Sequence, residues 1–105
     1  MNKNEIRELV KQWSQTIGVY PKKVRIIKMR HKWASVSSRG TLTLNTLLLD
    51  FPPSIIEYVI VHELVHLKTK VKTHNKLFKA TLASYLPDWE SRNKELREMG
   101  NSMEL

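Results

Sequence analysis

Pro52-Pro53-Ser54-Ile55-Ile56-Glu57-Tyr58-Val59-Ile60-Val61-His62-Glu63-Leu64-Val65-His66-Leu67 is the stretch on which the fold turns. Prolines at a first turn are compatible with a helix, because the amide they lack has no partner there. Ile55, Ile56, Val59, Ile60, Val61, Leu64, Val65 and Leu67 then put apolar side chains on nearly every face, which predicts a helix buried on most sides. His62, Glu63 and His66 interrupt it. An ionised carboxylate left unpaired in such surroundings would cost roughly several kcal/mol, so these three side chains need a common reason to be there.

A metal supplies that reason. Residues four apart on a helix share a face, with Cβ atoms about 6 Å apart, and two imidazoles so placed can meet one zinc ion at roughly 2.0–2.1 Å. Glu63, rotated by about 100° from His62, would stand beside the ion rather than on it, within reach of a proton on zinc-bound water. His62 and His66 are thus expected to be metal ligands and Glu63 the catalytic base. His74 is the leading third ligand, since three of the four histidines fall between 62 and 74. One unbroken helix would carry it about 18 Å away from His62, so the polar segment 67–73 must turn the chain back. His74 would then stand on the first turn of the next helix. Glu90 and Glu95 are the competing third ligands.

Upstream, Ile6, Leu9, Val10, Trp13 and Ile17 recur at helical spacing from Asn4 to Ile17, and Gly18 offers a C-cap. Val24 onward shows an imperfect alternation, Trp33 to Ser37 a second strand, and Thr41-Leu42-Thr43-Leu44 a third after the turn Ser38-Arg39-Gly40. A three-stranded antiparallel meander is the economical reading. Downstream, Thr73 is expected to cap a third helix running through Leu86, and Pro87-Asp88 to start a fourth, closed by Gly100. The expectation is a single α+β domain, 1–105, with an N-terminal helix, a small sheet, the histidine-bearing helix and two further helices.

The chain's 105 residues leave room for little more than one modest core. Without cysteine there is neither a disulfide nor a thiolate ligand, so any metal must be held by imidazole, carboxylate or water. No stretch reaches the roughly 18 apolar residues of a spanning helix and no signal-peptide core is evident, so a soluble, cytoplasmic protein is expected, without a membrane partner.

Several separated motifs resemble one family, the YgjP-like metallopeptidases, relatives of the SprT-like zinc proteins. They are Lys32-Trp33-Ala34-Ser35, Gly40-Thr41-Leu42-Thr43-Leu44-Asn45, Tyr58 to Leu67, His74-x-x-x-Phe78, and Leu86-Pro87-Asp88 followed by Leu96. The resemblance spans about Met29 to Met99. It implies one catalytic zinc held by His62, His66 and His74, Glu63 as general base, a zincin-like fold and peptide or protein substrates. The chain is also similar in size to the minimal soluble zincins called minigluzincins.

The formal charge of +8 draws anionic partners without specifying any. Lys68, Lys70, Lys72, Lys76 and Lys79 surround the third histidine, where they would favour acidic substrates, hold nucleic acid, or form a solvated face. The basic run from Lys22 to Lys32 beside Trp33 supports a second reading, a nucleic-acid-associated protein with a structural or relict zinc site. Tyr58 and Tyr85 are candidate oxyanion donors, and His31 reads as a surface residue. The short polar tail after Gly100 reads as a frayed end; the sharper alternative is that Glu104 or the final carboxylate reaches the zinc and holds the enzyme latent.

Overall fold

The computed structural model describes residues 1–100 and 102–105. In chain order its elements are α1 (Lys3–Ile17), β1 (Lys23–Ile27), β2 (Ala34–Val36), β3 (Thr41–Asn45), a 3-10 turn (Thr46–Asp50), α2 (Pro53–Thr69), α3 (Lys76–Tyr85) and α4 (Trp89–Met99). The α+β architecture expected from the sequence is present. No helix of the described residues is long and apolar enough to cross a membrane.

Two reciprocal bonds open α1. The Asn2 side chain accepts from the Glu5 amide at 2.8 Å, and the Glu5 carboxylate accepts from the Asn2 amide at 2.9 Å. Gly18 closes the helix at φ 80°, in the left-handed region where glycine carries no side-chain penalty. Ile6, Val10 and Ile17 are buried on the face turned to α2.

The sheet departs from the expected antiparallel meander. Its order is β1-β3-β2, with β1 parallel to β3 and only β2 antiparallel to it. A parallel pair needs a crossover of about a dozen residues or more, and residues 28–40, which include β2 itself, provide one. Asn45 clasps that crossover. Its Nδ2 donates to the carbonyls of Met29 and Lys32 at 3.0 and 2.8 Å, while its Oδ1 accepts from the Leu47 amide. The central strand buries Leu42 and Leu44 completely, and β2 is left with one open edge.

The helix α2 packs against α1, α3, α4 and β2, which is why its apolar residues go all the way round. Ile55, Ile56, Val59, Ile60, Val61, Leu64 and Val65 are fully buried, each stabilising the fold by about 1.5–3 kcal/mol. Arg92 fastens α4 to it: its Nη1 meets Glu57 at 2.7 Å and the Ser54 carbonyl at 3.0 Å, and its Nε meets Asp88 at 3.1 Å.

The start of α3 differs from expectation. The cap is Asn75, not Thr73: its side chain accepts from the Phe78 amide at 3.0 Å from an extended backbone. The helix therefore begins two residues after His74, which stands in the preceding loop, and it ends at Tyr85, one residue before the expected Leu86.

Candidate metal centre

The helix α2 places His62 and Glu63 in the core, each only 3% exposed, and His66 at its margin. The turn after it then returns the chain. Lys70 caps α2 in the left-handed conformation, φ 59°, with its amide donating to the His66 carbonyl at 2.9 Å. The carbonyl of Val71 consequently reaches Nδ1 of His66 at 2.7 Å. A carbonyl can only accept, so Nδ1 carries the hydrogen and Nε2 keeps its lone pair. His74 arrives from the loop before α3, and its Nε2 lies 3.2 Å from Nε2 of His66.

One nitrogen from each of His62, His66 and His74 can be chosen so that all lie within 4.8 Å of one another, and no other such group of ligating side chains occurs among the described residues. The donor set suits a divalent cation. Two nitrogens each about 2.0–2.1 Å from a tetrahedral ion stand about 3.4 Å apart, close to the spacing of the His66–His74 pair. Burial holds His66 below the ordinary imidazole range against the raising effect of the Val71 carbonyl. Burial, followed by the neighbouring imidazoles, does the same for His74. Lowered values keep both rings neutral, the form that ligates.

Glu63 neither stands alone nor pairs with a lysine. Its Oε2 accepts from Nδ1 of His62 at 2.8 Å, which orients that ring with Nε2 free, as carboxylates do behind metal-bound histidines. Oε1 makes no hydrogen bond among the described residues. Phe78, one turn into α3, stacks on His66 at 4.2 Å and meets His62 edge-on at 4.9 Å. The sequence signalled Phe78 only through its spacing from His74. Nothing in the sequence pointed to the Val71 carbonyl.

Two cavities meet at the three imidazoles. The first, about 610 Å³, is walled by Trp33, Tyr58, Phe78, Leu82 and Leu96 beside His62 and His74. Tyr58 is buried, its hydroxyl donating to Asn93 at 3.0 Å, and burial raises its pKa far above the ordinary phenol value, so it stays a neutral donor. The second, about 470 Å³, runs between β2 and the end of α2 and is lined by Glu63 and His66.

The other expected residues lie elsewhere. Glu90 and Glu95 are exposed on α4 and line neither cavity, so the structure does not bring the alternative ligands to the histidines. Tyr85 packs edge-on against Trp13 and lines neither cavity. Trp33 is buried against Phe51, so this ring beside the basic run is not exposed for stacking on bases. The tail, of which Asn101 lies outside the described residues, returns to the cleft. Its Glu104 bridges in parallel to Lys32, the Trp33 amide donates to the Glu104 carbonyl at 2.7 Å, and the Glu104 amide donates to the His31 carbonyl at 3.0 Å.

A buried helix with two histidines and a carboxylate, a third histidine folded back onto them and a sheet edge alongside define a zincin-like metallopeptidase scaffold. The chain belongs to the YgjP-like family: residues 2–99 match its metallopeptidase domain, which makes the protein a metallopeptidase. It is 30% identical over 99 residues to an uncharacterised protein of Methanocaldococcus jannaschii, covering 91% of this chain and 90% of that one. The fold is similar to the crystal structure of the metallopeptidase zymogen abylysin of Pyrococcus abyssi, with a TM-score of 0.85 at 22% identity over 95% of this chain and 99% of that one. It is also similar to the metallopeptidase zymogen jannalysin of Methanocaldococcus jannaschii, with a TM-score of 0.81 at 25% identity over 90% and 95% of the two chains.

Proposed function

We propose that the chain holds one zinc ion through His62, His66 and His74 and hydrolyses peptide bonds with Glu63 as general base. The observation that carries this reading is the convergence of three imidazoles, with the Nε2 atoms of His66 and His74 at 3.2 Å. Zinc, when bound, supplies a Lewis acid that polarises a carbonyl and acidifies water.

The protein's own groups do the rest. Oε1 of Glu63 is free to take a proton from the attacking water and return it to the leaving amine, while Oε2 holds the His62 tautomer. The open edge of β2 aligns an extended substrate by main-chain hydrogen bonds, and the apolar wall of the first cavity receives a bulky side chain.

The tail supports a latent state. Met103, Glu104 and Leu105 all line the first cavity, and Glu104 already occupies the strand-pairing position beside Trp33. Both structural relatives are described as zymogens. A peptide lying there shields the histidines from substrate.

Metal analysis is the direct test. Purified chain supplied with zinc should retain about one ion, and His66→Ala should release it; a chain that takes up none overturns the reading. Removing residues 102–105 should raise hydrolysis of an unstructured protein substrate. Unchanged turnover would remove the tail from the proposal and leave the zinc site standing.

A further inference from the structure

The second cavity carries a substrate preference that the metal chemistry does not require. Lys70 and Lys72 line it from the turn after α2, and Lys32 lines it from the opposite wall beside β2. Apart from Glu63, no acidic side chain lines it, and none of the three lysines is in a salt bridge among the described residues. The lysine cluster seen in the sequence thus divides by position. The Lys68 ammonium donates to the Ile17 carbonyl at 2.8 Å and finishes α1, and Lys76 lines neither cavity. Only Lys70 and Lys72 face the cleft beside Glu63 and His66, with Lys79 lining the first cavity.

Lys70 is the one non-glycine residue with positive φ among the described residues. A lysine there bears a backbone penalty that glycine would avoid, so the turn alone does not account for the side chain. The direction of a bound chain is also on the page. Glu104 pairs in parallel with Lys32; Met103 and Glu104 line the first cavity, and Leu105 lines both. A peptide in that register runs toward the second cavity along the free edge of β2. The residues that follow the Leu105 position then pass between Lys32 on one side and Lys70 and Lys72 on the other.

We infer that the cleft selects acidic peptides, with Lys70, Lys72 and Lys32 receiving carboxylate side chains one or two residues beyond the Leu105 position. The inference rests on the reading of this cleft as a peptidase site. An extended peptide is favoured over nucleic acid because the lysines stand beside the open edge of β2, in line with the main-chain bridge at Lys32, and no tryptophan, tyrosine or phenylalanine among the described residues lines this cavity.

The test uses the chain with residues 102–105 removed, because the tail otherwise fills the register under test, beside the full chain as control, and two fluorescent peptides, Met-Glu-Leu-Asp-Asp and Met-Glu-Leu-Asn-Asn, each with the same neutral flanks. Binding is read by polarisation in the Glu63→Gln variant so that nothing is cleaved. The acidic peptide should bind about 10-fold more tightly at low salt, and the gap should narrow as ionic strength rises. In Lys70→Gly/Lys72→Gln the gap should shrink to about 2-fold. Glycine suits the backbone at position 70, so the variant's melting temperature checks that the fold is intact. In the chain lacking residues 102–105, equal affinities, binding of neither peptide, or a single-stranded oligonucleotide binding as tightly as the acidic peptide would each overturn the inference. With the zinc-loaded chain lacking residues 102–105 and intact Glu63, cleavage of both peptides at one rate overturns this inference alone. Preferential binding with no cleavage overturns the peptidase reading alone.

Discussion

The two walls of the candidate metal site are built in opposite ways. His62, Glu63 and His66 stand on α2, a helix packed on every side, whose positions are set by residues such as Ile60 and Leu64 with no exposed surface. His74 hangs from the loop between Lys70 and Asn75, exposed, and is held by what lies at the loop's two ends. One wall is fixed by burial and the other by caps. A site divided in this way keeps Glu63, the proposed base, rigid while His74, the proposed third ligand, remains the part that adjusts.

The largest effect should come from the rigid wall. Glu63→Gln preserves shape and removes only the proton acceptor, so turnover should fall by about 10²–10⁴-fold while zinc content stays near that of the parent. Turnover within about 3-fold of the parent would show that the base lies elsewhere. Ile60→Ala opens a cavity beneath the same wall without touching the cleft. It should lower stability by about 2–5 kcal/mol in denaturant unfolding, and a cost below about 1 kcal/mol would mean that α2 is not the fixed element described.

The adjustable wall should respond less. Asn75→Ala removes the α3 cap and should cost about 0.5–2 kcal/mol while weakening zinc binding through His74. Zinc affinity equal to the parent's would show that the loop holds His74 without the cap. The smallest effect is expected from pH. His66 and His74 are held below the ordinary imidazole value of about 6.5, so the unfolded metal-free chain binds protons that the folded one refuses. The stability those rings contribute is therefore complete above about pH 6.5 and is lost as pH falls through the lowered values. Melting temperatures of metal-free chain between about pH 7 and 5 should fall on acidification, and less so in His74→Asn. A rise would reverse the sign.

The same division decided what the sequence disclosed. The helix α2 was legible because its apolar residues recur without a polar face, and the interrupting His62, Glu63 and His66 stood out against them. The open wall was harder to read. Thr73 and Asn75 are both competent caps, and only the bond from the Phe78 amide, a three-dimensional fact, chooses Asn75. The turn at Lys70 left no sign because a lysine gives no warning of positive φ, whereas Gly18 did for α1. The sheet's topology was hidden for another reason. Alternation along β1, β2 and β3 sets which face is buried but not which strand lies between the others. Asn45, whose side chain ties down the crossover, looks like any polar residue at a strand end.

The parallel pairing of β1 with β3 bears on how the molecule assembles. The β2–β3 hairpin joins through a tight turn at Ser37–Gly40, so it closes a short loop at little entropic cost, whereas β1 must wait for 28–40 to be spanned. The hairpin is therefore expected to form early in refolding and β1 to dock afterwards, so the open edge of β2 exists before the sheet is complete. Until then a sticky ribbon is on offer to any neighbouring chain, and slow dilution should recover more native protein than a concentrated drop.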